Sequence, residues 1–162
     1  MELQCGIVGE PEPVSVVVPV FNSQQFVPIL FERVAAVFAA ETRTFELILI
    51  DDRSRDDSWE VVADLAARHS HVPCFRMLRN YGQHNALLCG IRAAKYPIVV
   101  TADDDLQNPP EEIPRMLARL DSNTDVVTAR RWKRVTGCGA TSRRKSPRSS
   151  CKARWARKPR AG

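Results

Sequence analysis

The hydrophobic positions of this chain fall into short apolar runs that alternate with stretches of helical spacing. Four runs have the length of a strand, at residues 14–20, 45–50, 75–78 and 98–102. Most of them are nearly continuously apolar rather than alternating with polar residues, which is typical of strands buried on both faces of a parallel sheet. The pattern therefore predicts an α/β fold with a mainly parallel sheet.

Between these runs, apolar residues recur at three- and four-residue spacing, which indicates amphipathic helices. Pro28 opens the first such stretch, and proline is tolerated only in the first turn of a helix. The predicted helices cover residues 28–38, 58–66, 82–94 and 108–120, and a fifth short strand is predicted at 125–128. Strand and helix thus alternate four times. This alternation predicts a Rossmann-like, three-layer α/β/α arrangement with helices on both faces of the sheet.

Charge is divided unequally along the 162 residues, although the formal net charge is only +5. Residues 1–130 hold 12 Lys/Arg against 19 Asp/Glu, whereas residues 131–162 hold 12 Lys/Arg and no acidic residue. A basic segment poor in apolar residues cannot bury a core, so we expect it to be disordered. The predicted organisation is a flexible leader at 1–13, a globular domain at 14–131 and a basic tail at 132–162.

No targeting or membrane-spanning segment is expected from the sequence. No run approaches the roughly 18 apolar residues of a spanning helix, and the first ten residues lack the basic cluster of a secretory signal. The five cysteines are odd in number and widely separated, without the spacing of a zinc site or a disulfide framework. We therefore expect a cytoplasmic chain with reduced thiols.

Three consecutive carboxylates, Asp103, Asp104 and Asp105, follow the fourth predicted strand. In an open α/β sheet this carboxyl-terminal edge is where ligands bind. If strand geometry continues through the stretch, Asp103, Asp105 and Gln107 point to one side and Asp104 points to the other. Two carboxylates and an amide oxygen are suitable ligands for Mg²⁺ or Mn²⁺. Spacing alone gives equal weight to the alternative, a solvated acidic turn that caps the following helix.

Two further strand ends fall at the same predicted edge. Phe21, with Pro19 and Asn22 beside it, ends the first strand and could stack on a flat base, although an ordinary core phenylalanine is the more common case. Asp52, preceded by Asp51, ends the second strand. It could accept a hydrogen bond from an imide N–H such as that of uracil, although such residues more often cap a helix.

A polar stretch at residues 79–84 ends the third strand and opens a helix. Backbone N–H groups and the helix dipole favour an anion at such a position, and Arg79 could pair with a phosphate. Gly82 lies at the start of this helix. His84 is a candidate general base, but a single histidine in the first turn of a helix is more often a surface residue. The convergence of these strand ends supports a ligand site more strongly than any one of them does.

Four blocks, at residues 14–22, 50–54, 79–83 and 103–112, resemble in their order the motifs of family 2 glycosyltransferases of the GT-A fold. The block 105–112 is especially similar to enzymes that transfer a sugar to a polyprenyl phosphate, dolichyl or undecaprenyl. The resemblance implies a nucleotide-sugar donor, usually UDP- or GDP-linked, held with Mg²⁺ or Mn²⁺. It also implies inversion by direct displacement and a lipid-phosphate acceptor, with the chain peripheral at the inner face of a membrane.

The resemblance further implies roles for individual residues. Pro19, Phe21 and Asp52 would hold the base, Asp103 would contact the ribose and donor sugar, and Arg131 falls near a donor or acceptor phosphate. The implied donor-binding residues are Pro19, Phe21, Asn22, Asp51, Asp52, Arg79, Gly82, Asp103 and Arg131, the catalytic residues Asp103 and Asp105, and the metal ligands Asp103, Asp105 and Gln107. A polyprenyl phosphate is already an anion, so it could attack the anomeric carbon without a protein base.

This chain departs from the family pattern at three positions. Phe21 stands where tyrosine is usual and Arg53 where glycine is common, and both changes could alter donor binding. Asp104 stands where a small residue is usual. The resemblance ends near residue 131, whereas family members continue with acceptor-binding structure. This ending suggests a truncated or frame-shifted coding sequence that could lack activity.

A second class of function stays open from the sequence. The chain could be a non-catalytic nucleotide-binding protein whose natural basic tail binds anionic lipid or nucleic acid. A dinucleotide-dependent oxidoreductase is disfavoured, because no G-x-G-x-x-G motif follows the first strand. No G-x-x-x-x-G-K-[ST] motif of a phosphate-loop ATPase occurs either.

Overall fold

The computed structural model describes residues 11–121 and 123–128 and the backbone of 155–157. Its strands are β1 (Val14–Val20), β2 (Phe45–Asp51), β3 (Cys74–Arg76), β4 (Ile98–Thr101) and β5 (Trp155–Arg157). Its helices are α1 (Phe26–Ala40), α2 (Ser58–Arg68), α3 (Gln83–Ala93) and α4 (Ile113–Leu117), the last preceded by a 3₁₀ turn at Pro110–Glu112. Within these ranges no helix has both the length and the apolar character needed to cross a bilayer.

The five strands form one sheet in the order β3-β2-β1-β4-β5. The first four strands are parallel, with Val14 of β1 opposite Phe45 of β2 on one side and Ile98 of β4 on the other. β5 pairs antiparallel to β4. β1 is the central strand and all seven of its residues are buried, which explains its nearly continuous apolar run. The predicted α/β fold with a mainly parallel sheet is therefore confirmed.

Helices cover both faces of the sheet, which gives the predicted three layers. On one face α1, α2 and α4 pack against strand residues that include Val16, Val18 and Leu49. On the other face α3 packs against residues that include Val17 and Ile50. Because successive side chains of a strand point to opposite faces, one apolar run supplies both cores.

Gly90 allows α3 to lie close to the sheet. A Cβ atom at Gly90 would stand 2.4 Å from Val17 Cγ1 and 2.5 Å from Ile50 Cδ1. Both distances are far inside van der Waals contact, so a larger residue would push the helix outward. This packing fixes α3, whose first residue is Gln83, relative to β1 and β2.

A buried polar network closes the amino-terminal edge of the sheet. Ser15 Oγ donates to Glu46 Oε1 (2.5 Å), the same oxygen accepts the Lys95 N–H (2.7 Å), and the Tyr96 N–H donates to Ser15 Oγ (3.0 Å). Ser15 and Glu46 are opposite each other in the register of β1 and β2, and both are buried. Glu46 therefore joins two strands to the turn between α3 and β4.

Three details of the fold differ from the sequence-based prediction. Residues 125–128 form no extended strand, only an isolated bridge at Thr128, because this short segment is mostly exposed and has few buried apolar contacts. The predicted helix at 108–120 is reduced to the 3₁₀ turn and α4, which ends at Leu117. Its start is delayed because Pro110 keeps Pro109 extended, with a ψ of 131°. No element was predicted where β5 occurs; its backbone pairs with the exposed edge of β4.

Candidate functional site

The carboxyl-terminal ends of β1 and β4 lie side by side, at the point where the order of the sheet reverses. From β1 the chain proceeds to β2 and β3 on one side and then returns to β4 on the other. Such a reversal is the usual place for a ligand crevice in an open α/β sheet. The loops that follow β1, β2, β3 and β4 carry most of the residues predicted to form a site.

The loop after β1, residues 21–25, is bound to the loop after β2. The Asn22 N–H donates to Ser54 Oγ (3.0 Å), and Asn22 Oδ1 accepts the Arg55 N–H (2.8 Å). Asn22 has a φ of +54°, a left-handed conformation that asparagine adopts more readily than most residues. These bonds hold the preceding residue, Phe21, at the edge of the sheet with 42% of its surface exposed.

Both aspartates at the end of β2 are engaged by the protein. Asp51 is fully buried; its Oδ1 accepts the Ser54 N–H (3.0 Å), and its Oδ2 lies 3.1 Å from Arg76 Nε. Asp52 is 3% exposed and accepts the backbone N–H groups of residues 81 and 82, each at 2.8 Å. Asp52 therefore ties the end of β2 to the loop that leads into α3, and Asp51 secures the turn that follows β2.

Asp103 is half-buried and held by two side-chain amides. Gln83 Nε2, from the first turn of α3, donates to its Oδ1 (2.8 Å), and Asn108 Nδ2 donates to its Oδ2 (3.3 Å). Burial raises the pKa of Asp103, the negative charge of Asp105 raises it further, and the two amides oppose the rise. Asp103 is thus oriented by neutral donors and feels the charge of its neighbour.

Asp104 has different partners, in the loop after β1. Its Oδ2 accepts both the Phe21 N–H (3.0 Å) and the Ser23 hydroxyl (2.5 Å). Burial is the main cause that raises the pKa of Asp104, and these hydrogen bonds oppose it. β4 ends at Thr101, so the extended geometry assumed for residues 103–107 does not occur. Asp103 and Asp104 nevertheless face different neighbours, because the chain turns here.

Asp105 and Gln107 lie on the exposed side of the acidic segment. Asp105 Oδ1 accepts the Gln107 N–H (3.0 Å), an Asx-type turn, and Leu106 between them has a φ of +56°. In the part of the chain that the structure describes, the ion pairs involve other carboxylates, and none reaches residues 103–105. Within the described residues, the segment therefore carries negative charge that no ion pair offsets.

The donor set of this segment suits a hard divalent cation. The carboxylates of Asp103 and Asp105 and the amide oxygen of Gln107 are oxygen ligands of the kind that Mg²⁺ and Mn²⁺ prefer, and a cation would relieve the repulsion that raises the pKa of Asp103. Among residues 11–121 and 123–128, no group of three or more His, Cys, Asp or Glu side chains is arranged to hold a metal. Asp104 turns toward Phe21 and Ser23 and so does not form a group of three with Asp103 and Asp105. The predicted ligand set stays a prediction.

The other predicted residues also lie along this edge, with one exception. Pro19 is buried within β1. The Arg79 guanidinium lies over the Tyr81 ring, 4.8 Å from its centroid. Gly82 precedes α3 with a φ of +87°, a conformation open to glycine without strain. Arg131 lies outside the described residues, so its predicted position near a phosphate stays a prediction.

The residues that hold the carboxylates were not among those predicted from the sequence. Gln83 and Asn108 orient Asp103, and Ser23 orients Asp104. Gln83 and Ser23 are 20 and 81 residues from their partners along the chain. A polar residue in the first turn of a helix is a weak signal for Gln83, and nothing in the local sequence marks Ser23.

The strand order and the acidic segment after β4 define an α/β domain with a candidate ligand crevice at the carboxyl-terminal edge of its sheet. The sequence matches the family described as "Glycosyl transferase family 2" over residues 15–161. Because this match covers most of the chain, the chain belongs to glycosyl transferase family 2.

Two relatives share the name undecaprenyl-phosphate 4-deoxy-4-formamido-L-arabinose transferase. The protein from Klebsiella pneumoniae subsp. pneumoniae is 46% identical over 122 residues, covering 75% of this chain and 37% of that protein. The protein from Photorhabdus laumondii subsp. laumondii is 42% identical over 122 residues, covering 75% of this chain and 38% of that protein. The chain thus spans little more than a third of the length of these relatives.

Among solved structures, a mannosyltransferase from Pyrobaculum calidifontis in complex with GDP-Man and Mn²⁺ has a similar fold. The TM-score is 0.56 at 21% sequence identity, and the likeness covers 74% of this chain and 35% of that chain. At this level of identity the likeness concerns the fold alone. Together with the family match it confirms the predicted GT-A fold.

Proposed function

We propose that this chain carries the donor-binding part of an enzyme that transfers a sugar from a UDP- or GDP-linked donor to a polyprenyl phosphate, with a divalent metal and with inversion of the anomeric centre. The observation that carries the proposal is the convergence of an exposed aromatic ring, Phe21, and two carboxylates, Asp103 and Asp105, at one edge of the sheet; among the described residues these carboxylates make no ion pair. This combination occurs in a chain of glycosyl transferase family 2.

The donor would lie across the ends of β1, β2 and β4. Phe21, 42% exposed, offers a face for the base, and Asp52 lies at the neighbouring strand end. Asp52 already accepts two backbone N–H groups, but a carboxylate has further acceptor sites for an imide N–H. Asp103, held by Gln83 and Asn108, would accept hydrogen bonds from the ribose and the donor sugar.

Asp103, Asp105 and Gln107 are the residues we assign to the metal. A bound Mg²⁺ or Mn²⁺ would supply charge neutralisation for the diphosphate leaving group. The chain's own contribution is to orient these oxygens. Asp103 is fixed by two amide donors, and Asp105 by its bond to the Gln107 N–H. The Arg79 guanidinium, at the loop before α3, is a further candidate to meet a phosphate.

The acceptor class is supported by the two relatives, whose names state transfer to undecaprenyl phosphate. A phosphate monoester of this kind carries the attacking oxygen as an anion, so the reaction needs no protein base. In a direct displacement that oxygen forms the new bond to the anomeric carbon as the bond to the nucleoside diphosphate breaks. A lipid acceptor would place the reaction at a membrane surface, and we propose the cytoplasmic face.

Calorimetric titration of UDP and then GDP, each with and without Mn²⁺, tests the donor site. The purified chain should bind one of the two nucleotides, and Mn²⁺ should strengthen that binding by at least about tenfold. The Asp105→Ala variant should lose the strengthening. Asp64→Ala is the matched control, because Asp64 is a surface carboxylate that pairs with Arg68 on α2.

Binding of neither nucleotide by a chain with an intact thermal unfolding transition would refute the donor-site assignment. Equal loss in Asp64→Ala and Asp105→Ala would indicate a general charge effect rather than a metal ligand. Transfer to the lipid is then tested separately, with radiolabelled nucleotide sugar and undecaprenyl phosphate in detergent.

A second function is favoured by the charge distribution, because residues 131–162 carry 12 basic and no acidic residues. In this alternative the chain is a non-catalytic nucleotide-binding protein, and the basic tail binds anionic lipid or nucleic acid. Sedimentation with vesicles of acidic phospholipid at rising salt tests it. Binding that falls steeply with ionic strength, by a chain with no transferase activity, would favour this alternative.

A further inference from the structure

We propose that Asp104 is a positioning residue. It fixes the loop after β1, residues 21–25, to the acidic segment after β4, residues 103–105. The inference rests on the proposed function, because it concerns how the two halves of the donor site are held together. It starts from a contact that the motif alone does not predict. Asp104 lies between the two assigned metal ligands in sequence but directs its carboxylate to Phe21 and Ser23.

The geometry of this contact is specific. One oxygen, Asp104 Oδ2, accepts the Phe21 N–H at 3.0 Å and the Ser23 hydroxyl at 2.5 Å. Ser23 Oγ also lies 3.2 Å from the Phe21 carbonyl oxygen. The carboxylate therefore binds the backbone N–H of Phe21, the residue whose ring we assign to the base. A single acceptor oxygen is sufficient for both bonds, so the negative charge itself is not required.

The rest of the loop is anchored from the opposite side. Apart from the internal contact at Ser23, the other side-chain hydrogen bonds to residues 21–25 in the described part of the chain come from residues 54–58 after β2. Within the described residues, the side-chain hydrogen bonds between this loop and the loop after β4 are therefore those of Asp104. Asp104 spans the junction of β1 and β4, where the sheet order reverses.

This link has a consequence for the donor site. Asp103 and Asp105, on either side of Asp104, are assigned to the sugar and the metal, and Phe21 is assigned to the base. Asp104 therefore sets the distance between the base-binding and diphosphate-binding parts of the site. A small apolar side chain at this position would supply no acceptor, and among the described residues the loop would keep only its hydrogen bonds to residues 54–58.

The test compares nucleotide affinity in four variants, using whichever of UDP and GDP the wild-type chain binds in the presence of Mn²⁺. Asp104→Ala should weaken binding by about tenfold, because two hydrogen bonds that hold the loop are lost. Asp104→Asn should stay within about twofold of the wild type, because its amide oxygen can accept both bonds. Ser23→Ala should weaken binding by about threefold, and the surface variant Asp64→Ala should bind as the wild type does.

Amide hydrogen exchange at Phe21 gives a direct readout of the loop. Its N–H should be protected in the wild type and in Asp104→Asn, and should exchange at least about tenfold faster in Asp104→Ala. Each chain is first shown to have a cooperative thermal unfolding transition, so that lost binding is not lost folding. Protection that persists in Asp104→Ala would overturn the proposal.

The nucleotide affinities also distinguish a positioning role of Asp104 from an effect of its charge on the metal. If Asp104→Asn binds as poorly as Asp104→Ala, the charge acts on the metal and the positioning role is overturned. If Asp104→Ala binds as the wild type does, the loop does not depend on Asp104, and the proposal is again overturned while the donor site stands. A wild-type chain that binds neither nucleotide overturns the proposed function, and the exchange of the Phe21 N–H still decides whether Asp104 holds the loop.

Discussion

The two edges of the parallel sheet hold their carboxylates in different ways. At the amino-terminal edge a single buried carboxylate, Glu46, accepts hydrogen bonds from Ser15 and the Lys95 N–H within a closed network. At the carboxyl-terminal edge three consecutive aspartates, residues 103–105, share one turn. Amides, hydroxyls and backbone N–H groups bind them there, and no ion pair reaches them in the described ranges.

Under the proposed function, the difference separates Glu46, which stabilises the fold, from Asp103 and Asp105, which we assign to a ligand. Neutral donors orient a carboxylate without cancelling its charge. The negative charge of Asp105 makes ionisation of Asp103 less favourable and is, after burial, the second cause of the raised pKa of Asp103. A bound cation would remove this cost, so we expect binding to stabilise the folded chain.

The largest effect should come from breaking the amino-terminal network. Glu46→Ala leaves the buried Ser15 hydroxyl and the partly buried Lys95 N–H without their acceptor, and should lower the free energy of unfolding by about 3 kcal/mol. Urea unfolding measures this loss. Glu46→Gln keeps an acceptor oxygen and is the matched control, with an expected loss of about 1 kcal/mol or less. Equal losses in the two variants would show that the charge, rather than the hydrogen bonds, matters.

At the carboxyl-terminal edge we expect a substitution to weaken ligand binding and to leave stability almost unchanged. Asp105→Asn should reduce Mn²⁺-dependent nucleotide affinity by at least about tenfold. Its free energy of unfolding in metal-free buffer should change by no more than about 0.5 kcal/mol, because Asp105 is exposed. Thermal unfolding with and without Mn²⁺ provides the measurement. A large loss of stability without metal would contradict the division between the two edges.

A smaller effect is expected where α1 meets the 3₁₀ turn after the acidic segment. Arg33 Nε donates to Glu111 Oε1 (2.8 Å), and Arg33 Nη2 donates to Oε2 (2.5 Å). Both side chains are partly exposed, so Glu111→Gln should cost up to about 1 kcal/mol at low salt, and less at high salt. Asp64→Asn, which breaks the exposed Asp64–Arg68 pair on α2, is the control and should cost less. Urea unfolding at two salt concentrations measures the loss of stability in both variants and shows which loss is larger.

The smallest effect concerns pH and His71, which packs against Phe45 at the start of β2. The pKa of His71 is lowered by burial and, secondarily, by the charge of His69. The unfolded chain therefore binds a proton more readily than the folded chain. The stability that His71 contributes is present above the ordinary histidine pKa of about 6.5 and is lost as the pH falls through the lowered value. His71→Gln should flatten this part of the pH profile of unfolding, and an unchanged profile would exclude His71 as its source.

The sequence alone determined the α/β class and the four strand–helix units, and it predicted the edge at which the candidate site lies. The reason is local: β-branched runs such as 14–20 and 98–102 favour buried parallel strands, and amphipathic spacing between them favours helices. Because the carboxyl-terminal ends of parallel strands share one edge, the sequence also predicts that Phe21, Asp52 and Asp103 lie at the same edge of the sheet.

Only the tertiary structure decided what each polar side chain contacts. Ser23 and Asp104 are 81 residues apart in the sequence, and Tyr81 lies 29 residues from Asp52, so no local pattern pairs them. The chain turns after Thr101, and this turn directs Asp104 to the loop after β1. β5 was likewise beyond prediction, because a short strand forms by pairing with an available edge, here that of β4, rather than by the pattern of its own residues.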